Sequence, residues 1–383
     1  MSSLDRFAAE KLSSLEARQL RRRLAETARE DGITVTRDGK RLLSFSCNDY
    51  LNLSQHPDVK AAAIAAIRRF GAGAGASRLV TGNHPLYAEL ESRLAKLKGT
   101  EAACVFGSGY LANAGIIPAL TGKDDLVLLD ELSHACLWAG TQLSRANLLV
   151  YRHNDPAHAE ALLEEYRPRH ARALIATDGV FSMDGDLAPL PALASLAKRY
   201  DAWLLADDAH GLGVVGGGRG AAFAFGGKIE LPLQMGTLSK AAGGYGGYLC
   251  AARDVIDLVK NRARSFVYST GLPPATVAGA IAALDIIARG GDLVEAPLRK
   301  ARAFTAAAGL DEAQSPIVPV ILGETSRALE AAQMLERAGF LAVAIRPPSV
   351  PEGTARLRLT FTSDHPDEAV AKLAALVRGI IRR

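Results

Sequence analysis

The chain has 383 residues, 49% of them hydrophobic, enough to bury a large core and, at about 100–200 residues per domain, to form two lobes. Its 45 basic residues against 41 acidic ones leave a formal net charge of +4, too weak a bias for a surface that wraps nucleic acid and better suited to a small anionic substrate or cofactor. The cysteines Cys47, Cys104, Cys136 and Cys250 form no C-x-x-C pair, which argues against a zinc knuckle or disulfide framework and for a reducing cytoplasm, and the polar stretch Met1 to Glu10 lacks the apolar core of a signal peptide.

From Leu4 to Leu24, apolar residues recur at roughly helical spacing (Phe7, Leu12, Leu15, Leu20, Leu24) and predict an amphipathic N-terminal arm. Its basic cluster, Arg18, Arg21, Arg22 and Arg23, is read most simply as a solvated face. The uncharged stretch from Ala102 to Gly122 is long enough to span a bilayer, but Gly107, Gly109, Asn113, Gly115 and Pro118 interrupt it, so it is expected to be buried in a soluble fold with no membrane partner. Short apolar runs then alternate with helical patterns: Leu126–Leu129, Leu148–Tyr151, Ala173–Thr177, Ala202–Ala206, Leu233–Thr237 and Tyr248–Ala251. Such alternation predicts an α/β domain with a mostly parallel sheet covered on both faces. A long apolar helix over Pro274 to Ala288 follows, and the runs Ile317–Leu322, Ala342–Ile345 and Arg356–Phe361 suggest a smaller α+β lobe. The expected division is an arm over 1–45, a large domain over 46–288 and a small C-terminal domain over 289–383.

In doubly wound sheets, ligands bind beyond the carboxyl ends of the strands, so the residues just after each run are inspected first. They are rich in functional groups: Ser133-His134, then Asp178 through Ser182 to Gly185, then Asp207-Asp208-Ala-His210, then Thr237-Leu-Ser-Lys240. Lys240 precedes Gly243, Gly244, Gly246 and Gly247, a thin backbone able to lie close to a flat ligand, as a Schiff-base lysine requires. An isolated T-x-x-K would be only a solvated loop lysine, and the other strand ends decide the matter. A carboxylate at the end of an apolar strand, such as Asp207, is costly to bury unless a cation meets it, and the pyridinium of pyridoxal phosphate (PLP) is such a cation. His210 stands within reach of the same ring's phenolate. Alternatives remain open here: an Asx turn or helix cap for Asp207-Asp208, a core histidine for His210, or a metal pair, although no third ligand has suitable spacing. Ser108-Gly109-Tyr110 opens an apolar helix from Leu111 to Leu120 and has the form of a phosphate-binding helix N-terminus. With Ser182, Thr237 and Lys240 nearby, phosphate is favoured over a plain turn. His134, a lone histidine after a strand, has a place that suits ring stacking.

Together the motifs resemble the α-oxoamine synthase family of fold-type I PLP-dependent transferases. The carriers are Asn48-Asp-Tyr-Leu-Asn-Leu53, Gly107-Ser-Gly-Tyr110, Leu132-Ser-His-Ala135, Gly179-Val-Phe-Ser-Met-Asp-Gly185, Asp207-Asp-Ala-His-Gly211, Thr237-Leu-Ser-Lys240 and Tyr268-Ser-Thr270. The resemblance runs from about Arg21 to Phe361. Two further stretches, Leu20-Arg-Arg-Arg23 and Ile345 to Leu359, are similar to the branch that condenses L-alanine with a pimeloyl thioester.

The resemblance implies Lys240, His134, Asp207 and His210 as catalytic residues and Gly109, Tyr110, His134, Ser182, Asp207, His210, Thr237, Lys240 and Thr270 as holders of PLP. It implies that Arg21, Asn48, His134, Arg346 and Ser349 contact substrate, with Arg346 on the amino-acid carboxylate, and no metal takes part. Lys240, lowered in pKa by cationic surroundings, would move the Cα proton. The implied partners are an amino acid and an acyl-CoA or acyl carrier protein, in a homodimer whose Ser269-Thr270 reach the neighbour's phosphate. The rival within the family joins glycine to an acetyl thioester, and the non-enzymatic rival is a PLP-binding interaction module. Three positions depart from the family pattern: Asn52 stands for glycine, Asp178 for glutamate and Ser349 for threonine.

Overall fold

The structure, a computed structural model, describes residues 1–18, 20–22 and 24–382. Its centre is a seven-stranded sheet in the spatial order Ala102–Phe106, Gly247–Ala251, Leu233–Thr237, Trp203–Asp207, Ala173–Asp178, Leu126–Asp130, Asn147–Tyr151. All pairings are parallel except the two made by Gly247–Ala251. Apart from the edge strand Asn147–Tyr151, the parallel strands are buried along nearly their whole length because both faces are covered. Successive residues feed opposite layers: Leu126 and Leu128 pack under the helices Pro156–Tyr166 and Leu190–Arg199, whereas Val127 and Leu129 pack with Ile116, Ile117 and Leu137 of the helices Gly109–Leu120 and Ala135–Ser144.

The helix Pro274–Arg289 caps a further apolar cluster, with Val277, Ala280 and Leu284 against Leu90, Leu94 and Tyr248. Beyond it, Ile317–Gly323, Ala355–Thr360 and Val343–Ile345 form a three-stranded antiparallel sheet, covered by the helices Asp292–Ala308, Thr325–Arg337 and Asp367–Ile381. Every strand expected from the apolar runs is present within about a residue of its expected bounds. Two features were not foreseen. Ala102–Phe106 is a strand hidden at the head of the uncharged stretch, and Thr27–Asp31, Thr34–Arg37 and Lys40–Ser44 form an antiparallel meander whose last strand pairs in parallel with Phe340–Leu341. Phe45 stacks on His365 and packs in the core of the C-terminal sheet, so residues 27–45 build that lobe.

The arm differs from its expected extent. Its helix covers Ser3–Ala17 and stops there, with the Leu20 and Arg21 amides both donating to the Leu15 carbonyl, and its apolar residues Leu4 and Phe7 are exposed. Asn52, expected from the resemblance to stand in place of a glycine, adopts φ 54°, a left-handed conformation that asparagine tolerates better than other side chains. Among the described residues, no helix is long and apolar enough to cross a membrane.

Candidate active site

The carboxyl ends of the parallel strands converge as the sequence implied. A cavity of about 210 Å³ is lined by Gly109, Tyr110, His134, Ser182, Asp207, His210, Thr237 and Lys240, together with Cys136 and Asp178. Lys240 follows the strand Leu233–Thr237, and its Nζ lies 2.7 Å from His210 Nε2. His210 Nδ1 is 2.7 Å from the Tyr50 hydroxyl, which donates to Asn48 Oδ1 at 3.4 Å; that oxygen also accepts from an Arg358 guanidinium nitrogen at 3.1 Å. A neutral imidazole protonated on Nδ1 satisfies this chain: Lys240 donates to Nε2, and Nδ1–H donates to Tyr50. Burial, reinforced by the charges of Lys240 and Arg358, pushes the His210 pKa well below the ordinary value and keeps the ring neutral.

Burial also pushes Lys240 down, to about 8; Asp207 and Asp178 oppose the shift and Arg358 adds to it in a smaller way. The cause expected from the resemblance, a cationic neighbourhood, is thus secondary to loss of solvent. The glycines after Lys240 also act differently from expectation, since none lines the cavity. A Cβ at Gly243, which has φ 65°, would lie 2.2 Å from the Ser54 amide, and one at Gly247 would lie 2.4 Å from the Ser108 carbonyl. They let protein backbones pack closely behind the site.

Asp207 is 4% exposed, and Asn113 Nδ2 donates to its Oδ2 at 2.7 Å while the Ala209 amide donates to its Oδ1 at 3.0 Å. Cys136 Sγ lies 3.7 Å from the same Oδ2 and 2.8 Å from His134 Nδ1. His134 caps the helix Ala135–Ser144, and its amide donates to Asp178 Oδ2 at 3.1 Å, so the shorter carboxylate at position 178 does reach the site. Burial, with the nearby charge of Asp207, raises the Asp178 pKa well above the usual carboxylate range, and burial lowers that of His134. On the opposite wall, Ser108 caps the helix Gly109–Leu120, and Thr237 Oγ1 pairs with Ser239 Oγ at 2.7 Å. A Cβ on Gly109 would lie in ordinary contact, 3.4 Å from Thr237 Cβ, so this helix N-terminus packs directly beside the hydroxyl-bearing strand end.

These features fit PLP. A helix N-terminus with open amides and adjacent hydroxyls suits a phosphate; a buried carboxylate braced by an amide donor suits a protonated ring nitrogen; and a buried amine of lowered pKa suits attachment to the aldehyde.

A second, larger cavity of about 840 Å³ opens next to the first, and His134 and Ser182 line both. Its other walls come from Leu15, Arg18 and Leu20 of the arm, Leu132 and Trp138, Met183, and the segment 347–352 with Ser349. The arm is tied there by Arg22 donating to Ser349 Oγ at 2.8 Å and by Arg346 donating to the Arg21 carbonyl at 3.1 Å. Arg21 and Arg346 line neither cavity, and the Arg21 side chain bonds Glu16 at 3.2 Å. Thr270 is exposed, bridged to Ser77, and also outside both.

Four residues at the site escaped the sequence reading: Tyr50, Asn113, Cys136 and Arg358. Arg358 is 7% exposed, and besides Asn48 it donates to the Ser182 carbonyl.

Residues 40–377 match the family model for aminotransferase class I and II. The 8-amino-7-oxononanoate synthase of Beijerinckia indica is 64% identical over 381 residues, covering 100% of this chain and 99% of that protein, and the one of Methylocella silvestris is 65% identical over 348 residues, covering 91% and 99%. Among solved structures, a serine palmitoyltransferase of Sphingomonas wittichii superposes with a TM-score of 0.92 at 30% identity, covering 100% of this chain and 98% of that one. The chain therefore belongs to the aminotransferase class I and II family and, within it, to the 8-amino-7-oxononanoate synthases.

Proposed function

We propose that the protein condenses L-alanine with pimeloyl-CoA, or with a pimeloyl carrier protein, releasing carbon dioxide and the thiol and giving 8-amino-7-oxononanoate, a step of biotin biosynthesis. The observation that carries this reading is the meeting of two cavities at His134 and Ser182. The inner one holds a buried amine, a braced carboxylate and a phosphate cradle, and the outer one has room for an acyl chain.

PLP, when bound, supplies an electron sink for charge developing at the amino-acid Cα. The residues that would hold it are Asp207 at the ring nitrogen, His210 and Ser182 at the phenolate, His134 on the ring face, and Gly109, Tyr110 and Thr237 at the phosphate. Lys240 at a pKa of about 8 is poised to take the Cα proton near neutral pH and later to return it to carbon. Between these two transfers a C–C bond forms to the thioester carbonyl and the C–S bond breaks. The bond to the alanine carboxylate then breaks, and the departing thiolate takes a proton from solvent. Arg358, held by Asn48 and by the Ser182 carbonyl beside Lys240, is placed better than Arg346 to grip that carboxylate. Arg346, Arg21 and Ser349 instead fasten the arm across the outer cavity, which supports a role in enclosing the thioester.

A homodimer is part of this reading. Leu79, Val80 and Tyr268 are 59%, 74% and 75% exposed on segments joined by the Ser77–Thr270 bridge, an apolar patch suited to a second copy and to delivery of Thr270 to the neighbour's phosphate. The free cysteines suit a reducing cytoplasm.

The test is a panel of amino acids and acyl thioesters with the product identified by mass. L-alanine with a pimeloyl thioester should give equal amounts of thiol and carbon dioxide; a preference for glycine with acetyl-CoA would assign the sibling reaction instead.

A further inference from the structure

His153 lines neither cavity, yet its ring is held at both ends, with Nδ1 3.0 Å from Asp130 Oδ1 and Nε2 2.8 Å from Asp186 Oδ2. The two carboxylates belong to different turns. Asp130 is fully buried at the end of its strand, and its Oδ1 also accepts the Leu132 amide at 2.9 Å, which shapes the turn that delivers His134. Asp186 closes the turn that delivers Ser182: its carbonyl accepts the Phe181 amide at 3.0 Å, and the Gly185 amide donates back to the Phe181 carbonyl at 2.8 Å.

The neighbouring residue reinforces the clamp. Asn154 donates its amide to Asp130 Oδ2 at 2.8 Å and its side chain to Asp186 Oδ2 at 2.6 Å. Phe181 presents itself to the His153 ring edge to face, with centroids 4.4 Å apart. Both ring nitrogens donate, so the imidazole is a cation; burial opposes the charge, but the two carboxylates outweigh it and raise the pKa to about 10. The other charged groups close by are Glu131, which accepts the His153 amide at 2.8 Å, and Arg152, which pairs with Asp155 at 2.7 Å.

We propose that His153 is a positioning residue for the condensation, a cationic strut that ties the His134 turn to the Ser182 turn and so sets the width of the passage between the inner and outer cavities. The two residues it spaces are those that line both cavities. Loss of the strut should leave the lysine chemistry in place while misaligning the arriving acyl group, since a displacement on the order of 1 Å costs roughly 100-fold in a positioned reaction. The functional half of this inference rests on reading the outer cavity as the thioester's path, and the structural half does not.

The experiment uses the PLP-loaded protein with His153→Ala, and with His153→Gln as a bulkier second variant that keeps a donor should the first fold poorly. Hydrogen exchange by mass spectrometry should show residues 131–134 and 181–186 losing protection together, whatever the substrate proves to be. In steady-state assays kcat/KM for the thioester should fall roughly 10- to 100-fold, with a far smaller change in kcat/KM for alanine. A control variant in the small lobe, Val370→Ala, chosen to lower stability alone, should not show that split. Exchange changes confined to residues 152–155 would overturn the strut. Loosening of both turns with an unchanged kcat/KM for the thioester, or the same split in the control, would overturn its role in the reaction. Failure of the wild-type protein to use any thioester would instead overturn the functional reading and leave the exchange result standing.

Discussion

Capture of PLP by the cofactor-free protein should follow the neutral fraction of Lys240, because only the free amine attacks an aldehyde. With its pKa pushed down to about 8, roughly one molecule in ten carries a neutral amine at pH 7 and about half do at pH 8. At the ordinary lysine value of 10.5 the neutral fraction at pH 7 would be roughly three in ten thousand, so burial enriches the reactive form by roughly 300-fold. Stopped-flow absorbance between pH 6.5 and 10, corrected for PLP's own ionisation with a reference amine, should show a logarithmic rate rising with a slope of about one and flattening near pH 8. Asp207→Asn removes a carboxylate that favours the ammonium, so the break should move to lower pH. A rate that keeps climbing with unit slope through pH 10, or a break that moves upward in the variant, would refute the argument that burial activates this amine.

Other outcomes follow from single contacts. Arg358→Leu should raise the KM for L-alanine roughly 10- to 100-fold, the worth of a charge-assisted pair, with a smaller change for the thioester; equal changes in both would remove Arg358 from the carboxylate. Lys98→Met strands the buried Asp208 carboxylate, its partner at 2.5 Å, and should cost about 3–5 kcal/mol in urea unfolding. The double variant with Asp208→Leu should recover part of that loss, and a single-variant cost under about 1 kcal/mol would contradict it. His365 is buried against Phe45, and burial lowers its pKa from 6.5 to about 4. The unfolded chain therefore binds the extra proton first, so stability should fall as pH drops from 6.5 to 4, by about 3 kcal/mol, and His365→Phe should flatten that part of the pH–stability curve.

The chemistry visible in the sequence was that of strand ends. Asp207, His210, Thr237 and Lys240 end or follow short apolar runs whose alternation with helical patterns implies a mostly parallel sheet, and that placement gathers them at one edge. Arg358 was hidden because Ala355–Thr360 alternates arginine with leucine as a half-exposed strand does; the turn at 182–184 packs over its polar face and buries both Arg356 and Arg358. A strand with two arginines on one side does signal a need for acceptors, but not where they come from. Asn113 left a fainter trace, as a lone amide within an apolar helix, and its partner Asp207 lies 94 residues away. The glycines after Lys240 show how composition can mislead: the same run fits a ligand or a neighbouring backbone, and only the close approach to Ser54 and Ser108 distinguishes them.

Everything proposed for the site turns on which amine carries the cofactor. Borohydride reduction of the PLP-loaded protein, followed by proteolysis and peptide mass mapping, should place the pyridoxyl group on the peptide containing Lys240 and on no other lysine, with Lys240→Ala abolishing both the label and turnover. A label on another lysine, or turnover that survives the Lys240→Ala substitution, would contradict the account.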